Sequence, residues 1–305
     1  MLPWRTWIQE VIMPLPRSFT QAGFSEEPAR TKVSLRNGKL LKPVMIGVDG
    51  LTDTGKSEFG LSCPDPGLFI CLDRNIDGCL DNPNPPPARR ANWGFKVVNV
   101  PVPPSATSNS REIQHDFLKH WVEFYSIYEG ALNNPDALTV VVDGDSDSWE
   151  LQRLAAFGKT AQVPKEKYVD INSARKQYYS KAWNSGKIVV FTNKVRPVYV
   201  TKLDAKGNPM LSDNGNEVRV QSGEYERQGF PDQDYLFPLQ IRHIYEPPRF
   251  NSVSGVEMPG RFGIKVMKCK VQMNLVGTVL WGDDCNFAGL MELVYPEIPR
   301  SGWGL

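Results

Sequence analysis

Eight consecutive residues, Gly50-Leu51-Thr52-Asp53-Thr54-Gly55-Lys56-Ser57, fit the spacing GxxxxGK[ST], which makes a phosphate-binding loop when a buried strand delivers it. The glycines let the main chain curl until successive N–H groups point at phosphate oxygens, and the following helix adds its positive end. Lys56 then supplies the cation for β- and γ-phosphates and the Ser57 hydroxyl a ligand for Mg²⁺. Glu58 completes the set of residues expected around the phosphates. Asp53 is discordant, because a carboxylate inside the loop repels phosphate unless its side chain points outward. The other chemistry-bearing position is Asp143, which closes the apolar run Leu138-Thr139-Val140-Val141-Val142. An acid at the end of a strand adjacent to the loop can hold the magnesium's water shell opposite Ser57. Asp145 and Asp147 follow closely and read as plain helix caps.

The elements that must position these residues alternate. Val44–Val48 reads as the strand before the loop, and a short helix from Lys56 ends near Cys63-Pro64-Asp65-Pro66-Gly67, since proline cannot continue it. A strand Leu68–Leu72 runs into Asp73, and another spans Phe95–Val100. Ile113, Phe117, Trp121, Phe124 and Tyr128 recur at helical spacing, a stripe that packs on the sheet, and Asn109–Glu112 offers a cap before it. Helices are expected near 149–157 and 169–183, joined by a polar basic loop, 158–168, with Lys159, Lys165 and Lys167; a strand follows over Ile188–Asn193. Val198–Val200 and Glu217–Val220 alternate around turn-rich segments and predict a projecting β-hairpin. Tyr235–Phe237 returns to the core, and Ile241–Tyr245 with Arg261–Val271 predicts a strand pair at the end of the sheet, placing Lys268 and Lys270 on one face. The economical fold is α/β, with a mostly parallel sheet whose ligands sit at the carboxyl ends of the strands.

Thirty-five basic and 34 acidic residues leave a net charge of +1, so any nucleic-acid contact must come from a local patch. Five cysteines without a CxxC pair argue against a disulfide framework or zinc knuckle and for a reducing cytoplasm. No export signal and no membrane span are visible. His115, His120 and His243 form no catalytic set. Residues 1–42 read as an arm packing on its own core or on a neighbouring subunit, 43–295 as one domain with a hairpin insertion at about 197–233, and 296–305 as a tail.

Four elements stand in one order: the loop at 50–57, the strand ending on Asp143, the strand Phe191–Arg196, and Lys265-Val266-Met267-Lys268-Cys269-Lys270. That order resembles the RecA superfamily. The short helix, its Pro-rich turn and the strand Ile70-Cys71-Leu72-Asp73 look like the compact RecA-like ATPases of phages, some of which assist single-strand annealing. The resemblance spans roughly residues 40–295 and implies a RecA-like core with C-terminal antiparallel strands. It implies ATP/ADP and Mg²⁺ as cofactors, and Asn193 and Lys194 as sensors of the γ-phosphate. Lys268 and Lys270 would be the pair reaching a neighbour's phosphates, which requires a homo-oligomer, ring or filament, with active sites at its interfaces. Asp73 takes the place of the glutamate that usually orients the attacking water, and Lys194 stands where the family has glutamine. Single-stranded DNA is the implied partner, met by Lys159, Lys165, Lys167, Lys194, Arg196 and Lys202, with Tyr168, Tyr199 or Tyr225 stacking on bases.

Other readings share the loop: a helicase or packaging motor, a small-molecule kinase, or a nucleotide-dependent assembly switch with weak hydrolysis. A solvated strand face is the plain alternative for the lysine pair, and a solvated loop for the basic residues.

Overall fold

The computed structural model describes residues 34–36, 39–73, 76, 79, 94–100, 102, 110–158, 163–212, 214–251 and 256–303. Most of the expected amino-terminal arm, the Pro-rich stretch 81–90, Arg74, Asn75, Asn109 and Lys159 lie outside them.

The chain begins with a small antiparallel pair, β1 (Ser34–Arg36) and β2 (Lys39–Leu41). Then come β3 (Val44–Gly50), α1 (Lys56–Leu61), β4 (Gly67–Cys71), β5 (Phe95–Asn99), α2 (Ser110–Asn133) and β6 (Thr139–Asp143). These are followed by α3 (Asp145–Phe157), α4 (Tyr168–Asn184), β7 (Ile188–Asn193), β8 (Val195–Thr201), β9 (Arg219–Arg227) and α5 (Gln233–Leu236). The remainder is β10 (Leu239–Glu246), β11 (Arg249–Asn251), β12 (Val256–Met258), β13 (Arg261–Cys269), β14 (Val279–Trp281) and α6 (Phe287–Val294).

One eight-stranded sheet, ordered β14-β13-β10-β3-β7-β6-β4-β5, carries the fold. From β10 to β5 every neighbour is parallel; β13 and β14 are antiparallel additions. The central strands read as unbroken apolar runs because both faces are covered. Along β3, Val44, Ile46 and Val48 join the core under α1 and α6, whereas Met45 faces the core of α2, α3 and α4. The expected stripe Ile113, Phe117, Trp121, Phe124 and Tyr128 is buried in that second core. No helix among the described residues is long and apolar enough to cross a membrane.

Several expectations need correction. The Asp143 strand is not adjacent to the loop strand, since β7 lies between them. The segment Phe191–Arg196 is not one strand: β7 ends at Asn193 and the hairpin strand β8 starts at Val195. Ile241–Tyr245 is not at the sheet's end; β10 runs parallel beside β3. Tyr235 does not return to the core but stands 79% exposed, and Phe237 alone of that trio is fully buried. The projecting hairpin is present as β8 and β9, paired antiparallel outside the main sheet.

Candidate functional site

Parallel strands bring the candidate residues to one end of the sheet: β3 ends on Gly50, β6 on Asp143, and β7 on Thr192 and Asn193. Asp53 takes φ 60° and Gly55 φ 94°, the left-handed values that fold the loop back on itself. Gly50 has no room for a side chain, because a Cβ there would lie 2.7 Å from the His243 carbonyl. Leu51, Thr52 and Asp53 are exposed, so the Asp53 side chain stands in solvent. Lys56 folds back over the loop, its Nζ donating to the carbonyls of Gly50 at 3.1 Å and Leu51 at 2.6 Å. Burial lowers the Lys56 pKa, an effect opposed by Asp143, Asp73, Asp49 and Asp53. Thr54 is buried and its hydroxyl donates to Leu51 O at 2.8 Å. With six residues, α1 adds little dipole at this end of the sheet.

Ser57 Oγ donates to Asp143 Oδ2 at 2.8 Å, closing 86 residues of chain into one site. Thr192 Oγ1 donates to Asp143 Oδ1 at 2.5 Å and accepts from Gly144 N at 2.9 Å. Burial raises the Asp143 pKa to about 6, with the like charge of Asp73 adding to it and the Thr192 and Ser57 hydrogen bonds opposing it. One ligand atom from each of Cys71, Asp73 and Asp143 lies within 4.8 Å of the others. Burial pushes the Cys71 thiol up to about 12, and the Ser57 hydroxyl adds an oxygen beside Asp143.

Asp145 and Asp147 do not cap α3; Gly144 occupies the cap position without any side-chain cap bond. Asp145 is 1% exposed and bound by Arg175 at 2.6 Å and Tyr179 at 2.6 Å. Lys194 Nζ bonds Asp147 at 2.7 Å, while burial raises the Asp147 pKa. Asn193 is buried beside Ser146, whose hydroxyl donates to Asn193 Oδ1 at 3.4 Å and to Gln228 O at 2.7 Å. The Asn193 side chain therefore meets α3, and Ser146 links it to the hairpin root.

Lys268 does not lie at the loop end of the sheet. Lys268 is in register with Gln240 and so with Gly47, three residues before Gly50 and about 10 Å toward the amino end at ~3.3 Å per residue. Its Nζ donates to the Asp234 carbonyl. Lys270 follows the last residue of β13, its N–H donating to the Pro238 carbonyl at 2.8 Å, and its charge acts on Lys268. Of the cations expected to meet DNA, Arg196 is paired with Glu226 at 2.7 Å and Lys194 with Asp147; Lys165, Lys167 and Lys202 are exposed. Tyr168 is half-buried; it packs edge-on against Phe157 and its hydroxyl is bonded by Arg153 at 3.2 Å.

Sequence reasoning missed two groups. His243, 3% exposed on β10, holds Nδ1 3.0 Å from Thr54 O, and burial lowers its pKa to about 4. Asp49, one residue before Gly50, is buried and bonded by Arg242 Nε at 2.6 Å and Arg227 Nη2 at 3.2 Å. A charged residue breaking the apolar run before Gly50 was the available signal for the second group; nothing in sequence marked the first.

No protein-family model matches this chain, and no curated protein matches it in sequence.

Proposed function

We propose that this protein binds ATP with Mg²⁺ at the Gly50–Ser57 loop and hydrolyses it, acting as a RecA-like oligomer stimulated by single-stranded DNA. The observation that carries the reading is the Ser57–Asp143 hydrogen bond beside a curled, glycine-bounded loop already holding a lysine cation. In this reading the main chain of residues 50–55 cradles the phosphates, and Lys56 exchanges its carbonyl contacts for phosphate oxygens. Ser57 and Asp143 would hold Mg²⁺, which when bound neutralises charge on the β- and γ-phosphates. Asp73, whose charge acts on both Lys56 and Asp143, is the group nearest in kind to a water-orienting base.

The DNA part draws on the resemblance and on the exposed Lys165, Lys167 and Lys202. Charge pairing at Lys194 and Arg196 weakens the DNA part, and Asp73 in place of the usual glutamate supports a second reading, a nucleotide-dependent assembly switch with slow hydrolysis. Lys268 and Lys270 sit too far from their own loop and would act across a subunit boundary. ATP turnover with and without single-stranded DNA, on wild type, Lys56→Ala and Lys268→Ala, tests all parts. Stimulated turnover that Lys56→Ala abolishes supports the proposal. Recovery of turnover on mixing the two variants supports the trans role, and stoichiometric binding without turnover favours the switch.

A further inference from the structure

We infer that the cleft between the phosphate loop and the root of the β8–β9 hairpin takes the nucleobase, with Tyr225, Tyr245 and Phe262 as its stacking walls. This rests on the phosphate-loop reading and adds a ligand part to it. The cleft has a volume of about 520 Å³, and Gly50–Thr54 form one of its sides, so it is continuous with the loop. Small-molecule sites fall in the range of about 300–1,000 Å³.

Tyr245 and Phe262 are cross-strand partners on β10 and β13, their ring centroids 4.9 Å apart and planes inclined by 40°. Both are 46% exposed, and Tyr225, on β9, is 39% exposed. Set around one cleft, the three rings give it an apolar, ring-lined wall that a planar ligand can cover. A base offers a π-face to any aromatic ring and can cover them without matching hydrogen bonds.

The hairpin wall is held in place. Arg242 Nη1 donates to the Tyr225 carbonyl at 2.8 Å, while Nε and Nη2 bind Asp49 at 2.6 and 3.0 Å. Arg242 is thus a positioning residue that ties Tyr225 to the strand ending at Gly50. Arg242 also lines the cleft, with its guanidinium engaged by Asp49 and the Tyr225 carbonyl, so the three rings supply the stacking faces.

Inorganic tripolyphosphate separates base from phosphate recognition. Calorimetric titrations with ATP and with tripolyphosphate, each with Mg²⁺, are compared for wild type, Tyr225→Ala, Tyr245→Ala, Phe262→Ala and the ring-preserving Tyr225→Phe and Tyr245→Phe. Wild type should bind ATP at least about tenfold more tightly than tripolyphosphate. Each alanine variant should lose about tenfold for ATP and keep its tripolyphosphate affinity, and the phenylalanine variants should keep both. Equal wild-type affinity for the two ligands, or alanine variants that bind ATP as wild type does, would overturn the base assignment and leave the phosphate loop standing. Alanine variants that weaken both ligands alike would do the same. Failure of wild type to bind either ligand would instead remove the phosphate-loop reading and this inference with it.

Discussion

Arg175→Met should cost about 4 kcal/mol of folding stability, near the middle of the range for breaking a buried ion pair from one side. Arg175 is fully buried, and its Nη2 stands 2.6 Å from an Asp145 carboxylate that is only 1% exposed. Asp145 also accepts from Tyr179 at 2.6 Å, Ser148 at 3.0 Å and Gln233 at 3.0 Å, all neutral donors. Loss of the guanidinium therefore leaves a charge in the core with hydrogen bonds but no counter-ion. The guanidinium carbon also lies 4.3 Å from the Tyr178 ring centroid and 4.9 Å from that of Tyr179, contacts that contribute about 0.5–2 kcal/mol. Methionine keeps much of the stem volume and forfeits both effects. Asp145→Asn alone should lose about 3 kcal/mol by stranding the arginine, whereas the double variant should lose only about 1–2 kcal/mol. Urea unfolding followed by tryptophan fluorescence reads these differences as midpoint shifts at constant slope. A loss under about 1 kcal/mol for Arg175→Met, or additive single losses, would refute the reasoning.

Two further outcomes are expected. Because burial holds His243 near a pKa of about 4, with Lys56 and Asp49 as the charges facing it, the unfolded chain takes up a proton between pH 6.5 and about 4 that the folded chain refuses. Its contribution is intact above pH 6.5 and falls by up to about 3 kcal/mol as pH drops through that window, so His243→Asn should narrow the stability difference between pH 7.5 and 4.5 in urea titrations. At Asp53, with φ 60°, Asp53→Gly should fold as well as wild type and bind tripolyphosphate several-fold more tightly at low salt, while Asp53→Val should lose about 1–2 kcal/mol in thermal unfolding.

How far the sequence spoke depended on whether a signal was local. The loop, its strand and the acid at 143 were legible because the motif's spacing, an apolar run and a strand-ending carboxylate are all written within a few neighbouring residues. The α2 stripe was legible for the same reason, since helical periodicity is a property of one segment. Sheet order was not: β7 falls between β3 and β6 through hydrogen bonds among segments far apart in the chain. Asp145 read as a cap because an acid at a helix start usually is one, and only the placement of Arg175 on α4 gives it an ion partner. The cleft beside the loop was illegible too, as Tyr225, Tyr245 and Phe262 come from three strands that meet only in the fold.

Equilibrium binding of ATP in the presence of Mg²⁺, by wild type and by Lys56→Ala, reaches the central claim most directly. Wild type should bind saturably and in a Mg²⁺-dependent way, and Lys56→Ala, its fold intact, at least about a hundredfold more weakly, because the variant loses a cation held on the loop carbonyls. Absence of binding by wild type, or equal affinity in the two proteins, would contradict it.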